Sequence, residues 1–430
     1  MYNRSNVWIG VVTMENFGSF DFLSKIAFER TGGSEAELKT ANYIITECHK
    51  YQVEAHLEEF QVDGYEIKKA ALETMDGTYT VTGVGMSGST PVDGIIGELI
   101  VIESDEQLKL LASLEGKIAY VSGRMMVKTY KLLCEKKASG FICTSGSLYD
   151  DIENTDLEKM TLRERHYSNG KIPGVCLRMK DAQKLVLAQP KEVKIVVLQD
   201  EFKLTSHNVV ATIPGEEKKE EIVCFTAHYD SVPFSTGAYD NGTGTTTILE
   251  ALAYFSKNRP QRTLKFIWCG SEEMGLLGSK AYVEAHKEEL SSYKLCINVD
   301  MTGVVIGKDI ACCTSEKSLV NYINYLGKEV GFPITARQGV YSSDSTSFAD
   351  QGVPALSFAR LAPRGGAEIH SRKDVLDFLD AGNYYRTAGF IIEFAKRMIA
   401  STYFPVEDTI PEEMKKELDI YLGRKEREEK

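Results

Sequence analysis

The chain has 430 residues, 43% hydrophobic and 26% charged, with a formal net charge of -12. This is the composition of an ordinary globular protein, and the length exceeds that at which one core usually stops growing, so two domains or one domain with an insertion are expected. Nucleic acid and anionic membrane surfaces require clustered Lys and Arg, so neither is an expected partner of so acidic a chain.

The first residues, MYNRSNVWIGVVTMENF, hold one Arg and a short apolar stretch at 7–12 broken by Gly10, with no small-residue cleavage site after it. They make a poor secretory signal. No apolar run approaches the roughly 20 residues of a membrane helix. From 17 to 48 the pattern is helical, with Phe22, Ile26 and Phe28 in one segment and Ala41, Ile44 and Ile45 in the next. Ser34 followed by Glu37 is a capping-box signature for the second helix, and a strand is expected at 54–62.

Between 65 and 203 short β-like runs are expected at 79–84, 95–101, 117–122, 140–144, 172–176 and 193–199, with helices at 129–137 and 180–187. This texture reads as an inserted, β-rich second domain. From Asn208 the runs NVVATIPG and EIVCFTAHYD give two strands. A helix at 241–255, a strand at 263–269, a helix at 275–290 and a strand at 293–299 follow, then further such units over 317–358 and a helix at 380–398. Apolar strands without a period of two fit strands buried on both faces, and their alternation with helices implies right-handed crossovers. The expected fold class is therefore α/β, a mostly parallel central sheet flanked by helices. The expected layout is a catalytic domain over 14–64 and 204–400, an insert over 65–203, and a charged tail over 401–430, whose Glu- and Lys-rich part, 412–430, forms a solvated helix or a partly disordered end.

Nine cysteines are scattered, mostly inside apolar strand-like runs, without a C-x-x-C spacing. They read as reduced core residues, and the cytoplasm is the expected compartment.

Six residues carry the chemistry: His228, Asp240, Glu272, Glu273, Asp300 and His370. In an open α/β sheet ligands bind beyond the carboxyl ends of the strands, and loops after three successive predicted strands bring His228, Glu272 with Glu273, and Asp300 to that edge. Each residue alone has a plainer reading: a hydrogen-bonded strand-end His, an acidic helix start, a turn before Asn241-Gly242, an N-cap. Together they form a set. Imidazole and carboxylate suit zinc, and two metals roughly 3.5 to 4 Å apart need a bridging carboxylate, two flanking ligands each and a shared water. Five ligands meet that count, which leaves Glu272 free to act as a general base.

The runs HYDSVPFSTGAYDNGTGTTTILEAL, WCGSEEMGLLGSKAYV, NVDMTG, SSDSTSFADQGVPALSF and EIHSRKD resemble the di-zinc aminopeptidase family that includes bacterial leucine aminopeptidases and the glutamate carboxypeptidase type. The likeness extends over 208–398, and LEGKIAYVSG, EKKASGFICTSG and KIPGVCLRMKDAQKL look like the protease-associated insert some members carry. The resemblance implies that His228 and Asp300 hold one zinc, Glu273 and His370 the other, and that Asp240 bridges the two ions. It implies Glu272 as general base, Asp230 as the acid that orients His228, and a cis peptide between Asp240 and Asn241. Asp344 and Asp374 match acids in its last two motifs. Where many members carry an oxyanion-stabilising Tyr before the last His, this chain has Ile369, which leaves the zinc ions alone, Tyr341 or Arg337 for that task.

The expected function is a zinc aminopeptidase acting on peptides with a free N-terminus through a two-zinc-activated hydroxide. Three alternatives stand beside it: a carboxypeptidase, which needs a cation such as Arg337, Arg360, Arg364 or Arg372 for the substrate carboxylate; a glutaminyl-cyclase-like enzyme; and a relative without catalysis. Side-chain preference and oligomeric state stay open.

Overall fold

A computed structural model describes residues 7–9, 12–14 and 16–425. The readings of a leader at the start and of the tail's last residues, 426–430, lie largely outside the described residues. The chain divides into two compact units, one of Met1–Val62 with Thr205–Lys430 and one of Asp63–Leu204.

The first unit opens with helices α1 (Ser19–Ile26) and α2 (Glu35–Lys50). Its sheet is built from the end of β1 (Glu192–Ile213) and from β2 (Lys218–His228), β3 (Arg262–Cys269), β4 (Tyr293–Val299), β5 (Lys308–Thr314), β6 (Ile334–Gln338) and β7 (Ala355–Leu361). Helices α3 (Thr243–Lys257), α4 (Leu277–Ala285), α5 (Lys317–Val330), α6 (Ser345–Asp350), α7 (Ala381–Ala400) and α8 (Glu412–Tyr421) lie between and after the strands. The strand order is β6-β5-β7-β4-β2-β3-β1. The central strands β3, β2, β4 and β7 run parallel, and antiparallel pairings of β1 with β3 and of β5 with β7 flank them. The parallel centre sends the carboxyl ends of β2, β4 and β3 to one edge.

Each central strand buries both faces. Val223, Phe225 and Ala227 of β2 join Phe266, Trp268, Leu295, Ile297 and Phe358 in a core completed by α1, α2, α3, α5 and α7. The intervening Ile222 and Cys224 join Ile267, Cys269 and Cys296 in a second core under α4, α6 and α8. Two-sided burial is why the strands read as unbroken apolar runs. Phe225 stacks on Phe266 at 5.0 Å between ring centroids.

Three features differ from expectation. The tail is part of the fold, because Met414 and Leu418, four residues apart on one face of α8, are buried in the second core with Ile410. Arg424 adds bonds of 2.5 and 2.6 Å to the two oxygens of Asp350. The strand β5 was not expected, since KDIACCT offers a short apolar run after two charged residues. In the second unit the strands Ile95–Ile102, Lys117–Val121, Gly140–Ser145 and Gly174–Arg178 pair in parallel, so this unit is itself α/β. Its helices Asp105–Leu110, Val127–Glu135 and Met179–Ala188 and its own two core clusters complete it. Among the described residues no helix is long and apolar enough to cross a membrane.

Candidate metal centre

His228 ends β2, Asp300 follows the last residue of β4, and Glu272 and Glu273 stand in the loop after β3. Asp240 lies in an irregular turn, 238–242, that leads into α3, and the Asp240–Asn241 peptide is cis. His370 comes from the loop after β7. The structure brings all six together. Among the described residues, donor atoms within 4.8 Å of one another form the groups His228–Asp240–Asp300, Asp240–Glu273–His370 and His228–Glu272–Glu273.

The contacts show where a cation would sit. His228 Nε2 lies 3.1 Å from Asp240 Oδ1 and 3.7 Å from Asp300 Oδ1. His370 Nε2 lies 3.2 Å from Asp240 Oδ2 and 3.2 Å from Glu273 Oε1. Asp240 thus offers one oxygen to each imidazole. Asp300 Oδ1 is buried without a hydrogen-bond partner among the described residues, as are both oxygens of Asp344. A buried carboxylate oxygen left bare is costly unless a cation meets it, so the donor set fits metal ions.

The electrostatics follow from crowding acids in a dry place. Burial pushes the Glu272 carboxyl well above the usual range, His228 opposes this, and the charges of Glu273, Asp344 and Asp300 add to it. Burial also raises Glu273, helped by Asp240. For His370, burial alone would lower the pKa, but Asp240 and Glu273 outweigh it and bring it to about 11. Asp240 moves below its ordinary range because His228 and His370 overcome the effect of its burial.

Side chains from other elements hold the ligand loops by their backbones. Asp230 accepts from the N–H groups of Glu272 (3.0 Å) and Glu273 (3.2 Å), while its Oδ1 lies 3.4 Å from His228 Nδ1. Asp374 accepts from the N–H groups of Tyr239 (2.7 Å) and Asp240 (3.1 Å). Asn241 brackets Asp300, donating to Val299 O and accepting from Met301 N. It also accepts from Gly244 N, where a Cβ would meet Asn241 Oδ1 and Val299 O, each at 2.3 Å. Only glycine fits there. Thr245 Oγ1 donates to His228 O at 2.8 Å. Of the nine non-glycine residues with positive φ among the described residues, five lie on these loops: Phe234, Ser271, Leu276, Met301 and His370. Such strain concentrates where surrounding structure over-determines a functional geometry.

Sequence reasoning missed Arg30. It is fully buried, and its guanidinium donates to the carbonyls of Ile26, Phe28, Tyr229, Thr236 and Gly237, which braces the loop between His228 and Asp240. No motif marks an Arg that binds only carbonyls. Of the candidate cations for a substrate carboxylate, Arg360 is committed to Asp309 at 2.7 Å and to Val304 O. Ile369 is exposed.

An α/β sheet with carboxylates and imidazoles gathered at its carboxyl edge is an arrangement on which metal-dependent hydrolases are built. Residues 208–395 match Peptidase family M28. It is 28% identical over 365 residues to aminopeptidase YwaD of Bacillus subtilis, covering 80% of this chain and 74% of that one. It is 26% identical over 349 residues to carboxypeptidase Q of Bos taurus, covering 76% and 72%. The solved structure of BSAP, a zinc aminopeptidase from Bacillus subtilis, superposes with a TM-score of 0.74 at 23% identity, over 91% of this chain and 98% of that one, and shares the fold.

Proposed function

We propose that the chain is a two-zinc aminopeptidase that removes residues from the free N-terminus of peptides. The observation that carries this reading is Asp240, which belongs to both the group with His228 and Asp300 and the group with Glu273 and His370. A carboxylate shared between two flanking pairs is what a paired-ion site needs. The names of YwaD and BSAP support zinc and an aminopeptidase.

The ions would supply Lewis acidity toward the scissile carbonyl and make water a nucleophile at neutral pH. Glu272, buried beside both groups, takes the proton of the attacking water and passes it to the leaving amine, a task suited to a carboxyl that burial makes more basic. Asp230 holds Glu272 in place through its backbone N–H. For the role of the Tyr absent at position 369 we take Tyr341, whose phenol feels the charges of Asp300 and Asp240. Burial keeps its phenol protonated, and the charges of Asp300 and Asp240 reinforce this, so it can donate to a developing oxyanion. The acidic wall suits a substrate α-ammonium. The nine unpaired cysteines, eight of them buried, support a cytoplasmic site of action, and we read the unit Asp63–Leu204 as a protease-associated module.

The similarity to carboxypeptidase Q makes carboxypeptidase the second reading. Assays of the zinc-loaded protein on amino-acid anilides and on dipeptides blocked at the amine separate the two. Hydrolysis of the anilides alone supports an aminopeptidase, and cleavage of the blocked dipeptides alone overturns it.

A further inference from the structure

The segment between α1 and α2 reaches into the loop that carries Glu272. Glu37 occupies the third helical position of α2, where a capping box would return its carboxylate to the N–H of Ser34. Half of that box forms, since Ser34 Oγ accepts from Glu37 N at 3.1 Å. The other half does not, because Ser34 N donates to Thr31 O. The carboxylate turns inward instead. Oε2 accepts from Gly33 N at 2.8 Å, and Oε1 accepts from Ser271 N at 3.0 Å. Ser206 Oγ donates at 2.8 and 2.9 Å to the two oxygens, and Ser271 Oγ bonds both Ser206 Oγ (2.8 Å) and Glu37 Oε1 (3.3 Å).

Ser271 is the residue before Glu272, and its φ of 51° is left-handed. For a residue with a Cβ that conformation is strained, so it persists only if something holds it. Three successive N–H groups, of Ser271, Glu272 and Glu273, are therefore held by two buried carboxylates, the first by Glu37 and the next two by Asp230. Gly32 closes the contact: a Cβ there would meet Ser271 Oγ at 2.3 Å and Met274 Sδ at 2.8 Å.

We propose that Glu37 is a positioning residue for Glu272, fixing the strained Ser271 turn so that the base points at the attacking water. This rests on the reading of Glu272 as the base. The carboxyl is fully buried, so it acts through the turn alone.

Glu37→Gln keeps the volume but leaves one acceptor oxygen for four donors, so it separates acceptance from packing. A loop displaced by a fraction of an ångström should lower kcat by about tenfold with KM changed less than about twofold, at unchanged metal content. The decisive comparison is a cycle with Glu272→Ala. If Glu37 acts through Glu272, Glu37→Gln costs nothing further once that carboxylate is gone. A full additional loss in the Glu272→Ala background, or no loss in the native one, overturns the proposal. Should Glu37→Gln fail to fold or to load zinc, Gly32→Ala presses on the same serine from the other side. It should show the same kcat loss and the same absence of effect beside Glu272→Ala, and an additive loss there again overturns the proposal. Substantial activity in Glu272→Ala alone would instead overturn the reading of Glu272 as the base.

Discussion

At the residue scale the site is a set of buried acids and imidazoles, and the proposed roles divide between five metal donors and one base. Glu272→Ala should therefore retain its metals while losing activity by about two to four orders of magnitude, the usual weight of a general base. Substantial activity in a metal-replete variant would remove Glu272 from that role. Asp240→Asn, which keeps the shape but removes the charge of the shared ligand, should lower metal content instead. The same crowding sets a pH dependence for the metal-free protein. Burial brings Asp344 and Asp374 each to about 6, above their ordinary range, so the folded state retains protons that the unfolded chain gives up. Stability contributed this way is present at acid pH and is lost as pH rises through those values. His370, raised to about 11, acts in the same direction above its ordinary 6.5, and the lowered Asp240 loses its contribution only in stronger acid. Metal-free protein should melt lower at about pH 8 than at about pH 5.5, whereas metal affinity should rise over the same range because ligands must be deprotonated. Calorimetry with and without zinc reads both, and a flat or rising melting temperature for the metal-free protein would contradict the assignment.

At the scale of elements, the parallel centre was legible because two-sided burial leaves an unmistakable apolar run in β2, β3 and β4. The residues after those runs were legible for the same reason, since strand ends locate the edge. Short or mixed elements were not: β5 carries little apolar signal, and the Asp105–Leu110 helix is six residues long. Glu37 showed a second limit. Its spacing from Ser34 had a sufficient local explanation, and only the fold revealed that its carboxylate serves a loop more than two hundred residues away. The tail illustrates a third. Its charge density suggested a solvated end, but Met414 and Leu418 are enough to seat α8. Met414→Ala should destabilise the catalytic unit by about 2 kcal/mol, the low end for a buried methionine at the margin of a core. Denaturant unfolding checks this, and a change within about 0.5 kcal/mol, typical of surface sites, would mean that α8 is not packed as described.

At the scale of the whole molecule, the donors all belong to one of the two compact units, and the other has its own core clusters. Chelation should then lower the melting temperature of the catalytic unit and leave the transition of Asp63–Leu204 in place, because a bound ion stabilises only the part that binds it. A calorimetric scan in which chelator moves both transitions equally would contradict that division. The paired-ion site requires Asp240 to be shared between two ions. Anomalous scattering at the zinc edge from a zinc-loaded crystal tests it directly. Two peaks roughly 3.5 to 4 Å apart with the Asp240 carboxylate between them are expected, and a single peak, or two that do not share Asp240, would contradict the paired-ion reading.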